Sequence, residues 1–240
     1  TGFSRVYGRS DRSVFFIAQE GGRLGDMYGT GFLDINGQHV YDANGNPVKD
    51  PDLRLLGNYN PDFILGLENT LRYKNFDLGF LVDLRYGGTI VSRTLAIAST
   101  SGVLENTLVG REEGLVGEGI VNIGTEESPE WVPNTKAISA ESYYNQFFDR
   151  DNEANMLYDA TYLKLRELRL GYTLPDNFLK SIGFSELRVA LIARNLALWT
   201  ENPHFDPELN ALQGRNYAYG VEDMSYPSSR SFGLSLSMKL

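Results

Sequence analysis

The chain has 240 residues and no cysteine, which excludes disulfides, thiolate catalysis and cysteine-ligated zinc. Its 22 Lys and Arg against 31 Asp and Glu leave a net charge of −9, which argues against nucleic acid and against a polybasic grip on anionic lipid. The two histidines, His39 and His204, sit in turn-rich stretches and indicate neither a histidine metal site nor a histidine relay.

The sequence begins at Thr1 with no initiator Met and no basic, apolar or small-residue stretch of a signal peptide, so either processing removed the natural start or, the reading favoured, the sequence begins inside a longer protein. No run approaches the roughly 18 uncharged apolar residues of a membrane helix. That test does not see barrels, whose strands give only every second residue to lipid.

Residues 21–62 are polar and turn-rich. Gly21-Gly22 and Gly29-x-Gly31 precede no helical run, so they read as turns or tight crossings rather than phosphate loops. Asp42-x-Asn44-x-Asn46 opens like a calcium loop, but Pro47 stands at its sixth position and Leu53 at its twelfth, so the EF-hand pattern fails. No metal is expected.

Two strands follow. From Phe63 to Tyr73 the odd positions are Phe63, Leu65, Leu67, Asn69, Leu71 and Tyr73; from Phe76 to Tyr86 one face is Phe76, Leu78, Phe80, Val82, Leu84 and Tyr86. The opposite faces mix glycine with charge, including Asp83 and Arg85. Each strand spans about eleven residues, close to the 9–11 that cross hydrocarbon when tilted. Lys74-Asn75 joins them as a two-residue hairpin that sets Tyr73 opposite Phe76 and keeps both apolar faces on one side. Tyr73, Phe76 and Tyr86 lie at strand ends, where barrels place aromatic girdles.

Residues 88–157 form a long acidic insertion. Eleven acids from Glu105 to Glu153 oppose Arg93, Arg111, Lys136 and Arg150, so this segment holds seven of the nine net negative charges and reads as a solvent-facing loop. Glu112-Glu113 and Glu126-Glu127 are adjacent acids without a scaffolded pocket, which is solvated charge rather than acid–base machinery. Trp131, Tyr143, Tyr144, Phe147 and Phe148 fall here, and Tyr217 and Tyr219 fall in the later connection 200–228. Such rings either stack on sugars or a partner protein, or pack the loops together.

Tyr158–Thr173 alternates with a phase slip near Arg166, as a bulge produces; Leu163 and Leu165 are apolar before it, Leu168, Leu170 and Tyr172 after it. Glu186–Trp199 sets Leu187, Val189, Leu191 and Ala193 against Arg188, Ala190, Ile192 and Arg194. Ser229–Leu240 sets Phe232, Leu234, Leu236, Met238 and Leu240 against Ser231, Gly233, Ser235, Ser237 and Lys239. The connections alternate short and long, as in barrels with short periplasmic turns and long external loops. The fold class expected is all-β: an antiparallel transmembrane β-barrel with long extracellular loops at about 21–62, 88–157 and 200–228, and a periplasmic C-terminus. Leu78, Phe80, Val82, Leu84, Phe232, Leu234 and Leu236 then meet lipid. Asp83, Arg85, Glu167, Arg169, Arg188 and Arg194 face the interior. A soluble β-sandwich with one buried face is the rival. Long strands, a polar face mixing glycine with charge, and aromatics at strand ends weigh against it.

The residues carry a further signal. Gly21–Phe32 (GGRLGDMYGTGF), Leu56–Gly88 with its Gly-Asn-x-x-Pro-Asp and Tyr-Lys-Asn-Phe-Asp hairpin, Tyr158–Thr200 with Leu-Gly-Tyr-x-Leu-Pro and Arg-Asn-Leu, Asp206–Asn210 (DPELN) and Tyr226–Leu240 stand in an order that resembles the SusC/RagA-like TonB-dependent receptors of the Gram-negative outer membrane. The resemblance runs from about Gly21 onward, with Leu240 in place of the common terminal aromatic. It implies the C-terminal strands, six or so, of a roughly 22-stranded barrel, with the plug, TonB box and N-terminal domain upstream. It also implies import of oligosaccharides or peptides with a SusD-like surface lipoprotein, energised through TonB, with no cofactor and no enzymatic step. In so wide a barrel the interior-facing charges contact the plug, line the path or pair with each other, with plug contact favoured because the barrel must be filled. A soluble carbohydrate-binding or adhesive module, or a β hydrolase, are the competing functions.

Overall fold

The structure, a computed structural model, describes the chain except residues 1–3, 8–13, 150–151, 178, 180–182, 203, 214–215 and 240, and describes only the backbone of 4–7, 212–213 and 216–218. It is mostly strand with few helices, and it divides into two compact units. One comprises 1–60, 88–159 and 210–225, and the other 61–87, 160–209 and 226–240.

The second unit is built on five long antiparallel strands: β1 (Phe63–Tyr73), β2 (Phe76–Tyr86), β3 (Tyr162–Thr173), β4 (Glu186–Thr200) and β5 (Ser231–Lys239). They lie in the order β5-β4-β3-β2-β1, five rather than the six or so expected. The hairpin closes as read, with Tyr73 opposite Phe76 and Lys74 in the left-handed region at φ 53°.

Register carries one face across the whole sheet. Leu71, Leu78, Leu170, Leu191 and Leu234 form one row. Asn69, Phe80, Leu168, Ala193 and Phe232 form the next. A one-residue slip would throw every one of these side chains to the other side, so the bulge is needed. Leu165 opposes Val82 while Glu167 opposes Leu81, leaving Arg166 as the extra residue. β4 answers with its own irregularity, since Ala197 opposes Leu165 and Arg194 opposes Glu167, with Asn195 between them at φ 51°. The phase slip expected near Arg166 is this pair of irregularities.

Among the described residues no second layer buries that face. Phe232 is 77% exposed, Leu234 70% and Leu191 60%, while Phe80, Val82 and Leu84 are covered only in part. β1 and β5 are the sheet's two edges. Phe63 stacks on Tyr86 with ring centroids 5.1 Å apart, and Phe76 lies against Tyr172 at 4.7 Å, so aromatics sit at both ends of the apolar band. From Phe76 to Tyr86 the strand runs about 33 Å, or about 25 Å across a membrane at a tilt near 40°.

The three stretches expected as long loops carry structure of their own. In the first unit Asp26–Phe32 pairs with Lys49–Asn58, and Gln38–Tyr41 pairs in parallel with Ile120–Asn122. Thr89–Ser92 pairs with both Leu157–Asp159 and Val221–Glu222. The acidic insertion includes two helices, α1 (Arg93–Thr100) and α2 (Ala140–Phe147). Ser92 caps α1, its Oγ accepting from the Leu95 N–H, as N-cap serines do. Val14, Met27, Val91, Ala96, Met156, Ala211 and Val221 form a buried core. That core draws on all three separate stretches of this unit, which explains why an acidic insertion folds. Its charged residues Glu112, Glu113, Glu126 and Glu127 stay in water. No described helix is long and apolar enough to cross a membrane.

Candidate functional site: the charged face of the sheet

Opposite the apolar face, the five strands present a charged one. β2 contributes Asp77, Asp83 and Arg85, β3 contributes Lys164, Glu167 and Arg169, and β4 contributes Arg188 and Arg194. The six residues expected on an interior face therefore share one side of the sheet. Their charges are arranged in pairs. Arg188 forks onto Asp77, Nε at 2.9 Å and Nη2 at 2.5 Å, with Arg169 at 3.8 Å from the same carboxylate. Arg194 Nε donates to Glu167 at 3.0 Å. Forked arginine–carboxylate pairs fix orientation as well as charge, and here they cross from strand to strand.

The densest cluster contains four residues that the sequence did not place on the interior face: Lys164, Arg166, Asp206 and Glu208. Arg166, the bulge residue, turns its guanidinium to the charged face and donates to Asp83 at 3.0 and 2.5 Å and to Glu208 at 2.7 and 2.6 Å. Lys164 donates to Asp206 at 2.6 Å and to Glu208, with Tyr162's ring 5.0 Å from its ammonium. Asp206 also accepts from Ser228 Oγ at 2.8 Å and from the Glu208 backbone N–H at 3.0 Å. Lys164 and Arg166 share this face by ordinary alternation, and the bulge brings Glu167 and Arg169 back to it. Burial works to raise the Glu208 pKa; hydrogen bonds from Arg166 and Lys164 outweigh it and bring it down to about 2.

The aromatic residues expected to touch substrate or partner divide. On α2, Tyr143 stacks on Phe147 with centroids 4.1 Å apart, and Phe147 meets Phe32 edge-on at 4.9 Å. Tyr144 donates its hydroxyl to the Asn106 carbonyl at 2.6 Å, and Phe148 packs on the buried core. These four pack loop against loop. Tyr219 stacks on Tyr59 at 5.9 Å yet stays 56% exposed, and Trp131 is 37% exposed. The Tyr217 side chain lies outside the described residues. Phe148 also lines a cavity of about 570 Å³ in the same unit, whose walls include Val14, Val91, Ile97, Met156, Arg93 and Glu153.

Asp42 is turned to its own turn: Oδ1 accepts from the N–H groups of Asn44 and Asn46 at 2.9 and 2.8 Å. Among the described residues no cluster of three or more His, Cys, Asp or Glu is placed to hold a metal.

Comparison with known proteins bears on what such a two-faced sheet belongs to. No family model matches the chain. It is 29% identical to TonB-dependent receptor P3 of Formosa agariphila over 93% of the chain and 23% of that protein, and 28% identical to receptor P26 of the same organism over 85% and 20%. It is 23% identical to TonB-dependent receptor SusC of Bacteroides thetaiotaomicron over 84% of the chain and 19% of SusC. In fold it matches the RagAB peptide importer in its closed-closed state with a TM-score of 0.57 at 19% identity, covering 89% of the chain and 24% of that structure. The open-open state gives a TM-score of 0.56 at 17% identity. In sequence the chain is similar to part of the TonB-dependent receptors, SusC among them, and in fold to part of the RagAB importer. It spans about a quarter or less of the relatives it matches.

TonB-dependent receptors are outer-membrane proteins, and the motifs that carry the resemblance have structural work in this chain. Asn60 Nδ2 donates to the Leu24 carbonyl at 2.6 Å, and Asn58 Nδ2 to the same carbonyl at 3.0 Å and to Asp26 at 2.8 Å. Gly25, at φ +94°, leaves the space: a Cβ there would stand 2.3 Å from Asn60 Nδ2. Asn58 and Asn60 of the second segment thus clasp Leu24 and Asp26 of the first within the loop unit. Asp206-Pro-Glu208 is the acidic half of the cluster on the sheet.

Proposed function

We propose that this chain supplies wall strands and external connections of an outer-membrane β-barrel that imports oligosaccharides or peptides, driven through TonB and capped by a SusD-like surface lipoprotein. The observation that carries the reading is the uncovered apolar face. A contiguous apolar patch of a few hundred Å² is already large for a protein surface in water, and this one crosses all five strands with exposed Leu71, Leu191, Leu234 and Phe232 in its middle rows. Hydrocarbon is the solvent that accepts such a face, and a closed barrel is the way to satisfy the edges of β1 and β5.

Leu78, Phe80, Val82, Leu84, Phe232, Leu234 and Leu236 then meet lipid. Asp83, Arg85, Glu167, Arg169, Arg188 and Arg194 line the interior against the plug. The Lys74-Asn75 turn and Met238 share one end of the sheet through Tyr73–Phe76, Phe76–Tyr172, Tyr172–Val189 and the Leu187–Met238 pair. That end is assigned to the periplasm, and the long connections leave from the other. Trp131 and Tyr219, still exposed, are the loop rings placed to touch substrate or lipoprotein.

The full-length receptor, expressed with and without TonB, tests this. TonB-dependent uptake of a labelled oligosaccharide or peptide pool, and co-purification of a surface lipoprotein, are expected. A detergent-independent soluble product, or uptake unchanged by deleting the gene, would refute it.

A further inference from the structure

We infer that residues 204–209 form a strap held against the inner wall of the barrel, narrowing the lumen on the side of the long connections. The inference rests on the reading of the charged face as the lumen. On a single-layer sheet a lysine pointing off one face should be solvated, yet Lys164 is 3% exposed and Asp206 5%. What covers Lys164 is the strap. Thr200 Oγ1 donates to the Thr161 carbonyl at 2.9 Å where the chain leaves β4, and Asn202 Nδ2 donates to Thr200 Oγ1 at 2.9 Å. The Leu209 N–H closes a turn onto the Asp206 carbonyl at 2.9 Å, and that turn aims both carboxylates at β3.

The latch is chiefly ionic, and its groups are shared. Glu208 is shared by Arg166 and Lys164, Asp206 by Lys164 and Ser228, and Asp83 anchors Arg166 from β2. Lys164 and Arg166, two residues apart on one strand and so on one face, put two cations within reach of two acids that are likewise two residues apart. Buried pairs of this kind add little net stability beyond a well-packed alternative, but breaking one side strands a charge. Neutralising the acids therefore releases the strap rather than weakening it evenly. Latched, it narrows and fixes the bore; released, it lifts off the wall and its backbone becomes mobile and open to solvent.

The test uses the full-length receptor in the outer membrane. A cysteine replacing buried Pro207 (Pro207→Cys) is labelled with a membrane-impermeant maleimide, alone and combined with Asp206→Asn and Glu208→Gln. Labelling is expected to be at least about tenfold faster with the latch removed. Glu167→Gln, which breaks a pair on the same face away from the strap, should leave the rate unchanged. Heat-modifiable gel mobility reports whether a barrel has assembled. If the unsubstituted receptor never forms one, the receptor reading itself fails. If the barrel forms and latch removal does not speed labelling, the strap inference is overturned. Where the triple variant does not assemble, Pro207→Cys with Glu208→Gln alone makes the same comparison, because half-exposed Glu208 tolerates the change.

Discussion

Arg188 reaches across an entire strand to hold Asp77, and it passes over Gly171 to do so. Asp77 is opposite Gly171, which is opposite Ala190. A Cβ on Gly171 would stand 2.4 Å from Asp77 Oδ1 and 2.5 Å from Arg188 Nη2. The glycine is a slot for the ion pair, which staples three strands with one bidentate contact. Gly171→Ala should therefore expel the arginine and leave Asp77, 8% exposed, without its fork. A loss of about 3 kcal/mol is expected, in the range for breaking one side of a buried pair, read as a lower urea midpoint for the receptor in lipid vesicles. Gly66→Ala is the control: its Cβ meets nothing within 4 Å, and the midpoint should move by less than about 0.5 kcal/mol.

The two faces of one strand give a second prediction. Phe80 lies on the apolar face in the row with Leu168, Ala193 and Phe232, and its neighbour Leu81 lies opposite Glu167 on the charged face. Arginine in place of Phe80 near the bilayer midplane should cost about 2–4 kcal/mol, against less than about 1 kcal/mol for Leu81→Arg, which gains Glu167 as a partner. Equal penalties in vesicle unfolding would mean that the face carrying Phe80 does not meet lipid.

The contrast between those neighbours is also why so much of the sheet was legible beforehand. A two-residue hairpin and period-2 alternation determine which side each residue faces, and register then follows from keeping Leu78, Leu170, Leu191 and Leu234 together. The strap was not legible in the same way. Lys164 and Asp206 are 42 residues apart, and no periodicity links them. The loop unit was hidden for a related reason. Its core takes Val14, Val91 and Val221 from three distant stretches, each too short and polar to announce a fold, so α1 and α2 were read as acidic loop.

Acid should release the strap only at an extreme. Glu208 ionises near 2 in the folded receptor against an ordinary 4.5. Its contribution is complete above the unfolded value and is lost as pH falls from about 4.5 through 2. Asp206 and Asp83 face the same cations, Lys164 and Arg166. A spin label at exposed His204 (His204→Cys) should stay immobile from pH 7 to about 4.5 and loosen progressively below it. With Glu208→Gln the label should be mobile throughout. Loosening that begins near pH 6 would assign control of the strap to some other group.

The loop unit offers the opposite sign. Tyr41 is 2% exposed, and its hydroxyl has no hydrogen-bond partner among the described residues. Burial, with Tyr143 and Glu118 nearby, pushes its pKa up to about 12. The neutral phenol is thus favoured by folding, so its stabilising effect is full below pH 10 and lost as pH rises through 12. A buried, unsatisfied hydroxyl costs about 1–3 kcal/mol, and Tyr41→Phe removes it while keeping the ring that fills the space beside Gly117. The variant should be as stable as the parent or more so at pH 7, and it should lose less between pH 10 and 12. Slower amide exchange in Gln38–Tyr41 is the expected readout. Faster exchange at neutral pH would show that the hydroxyl serves the fold.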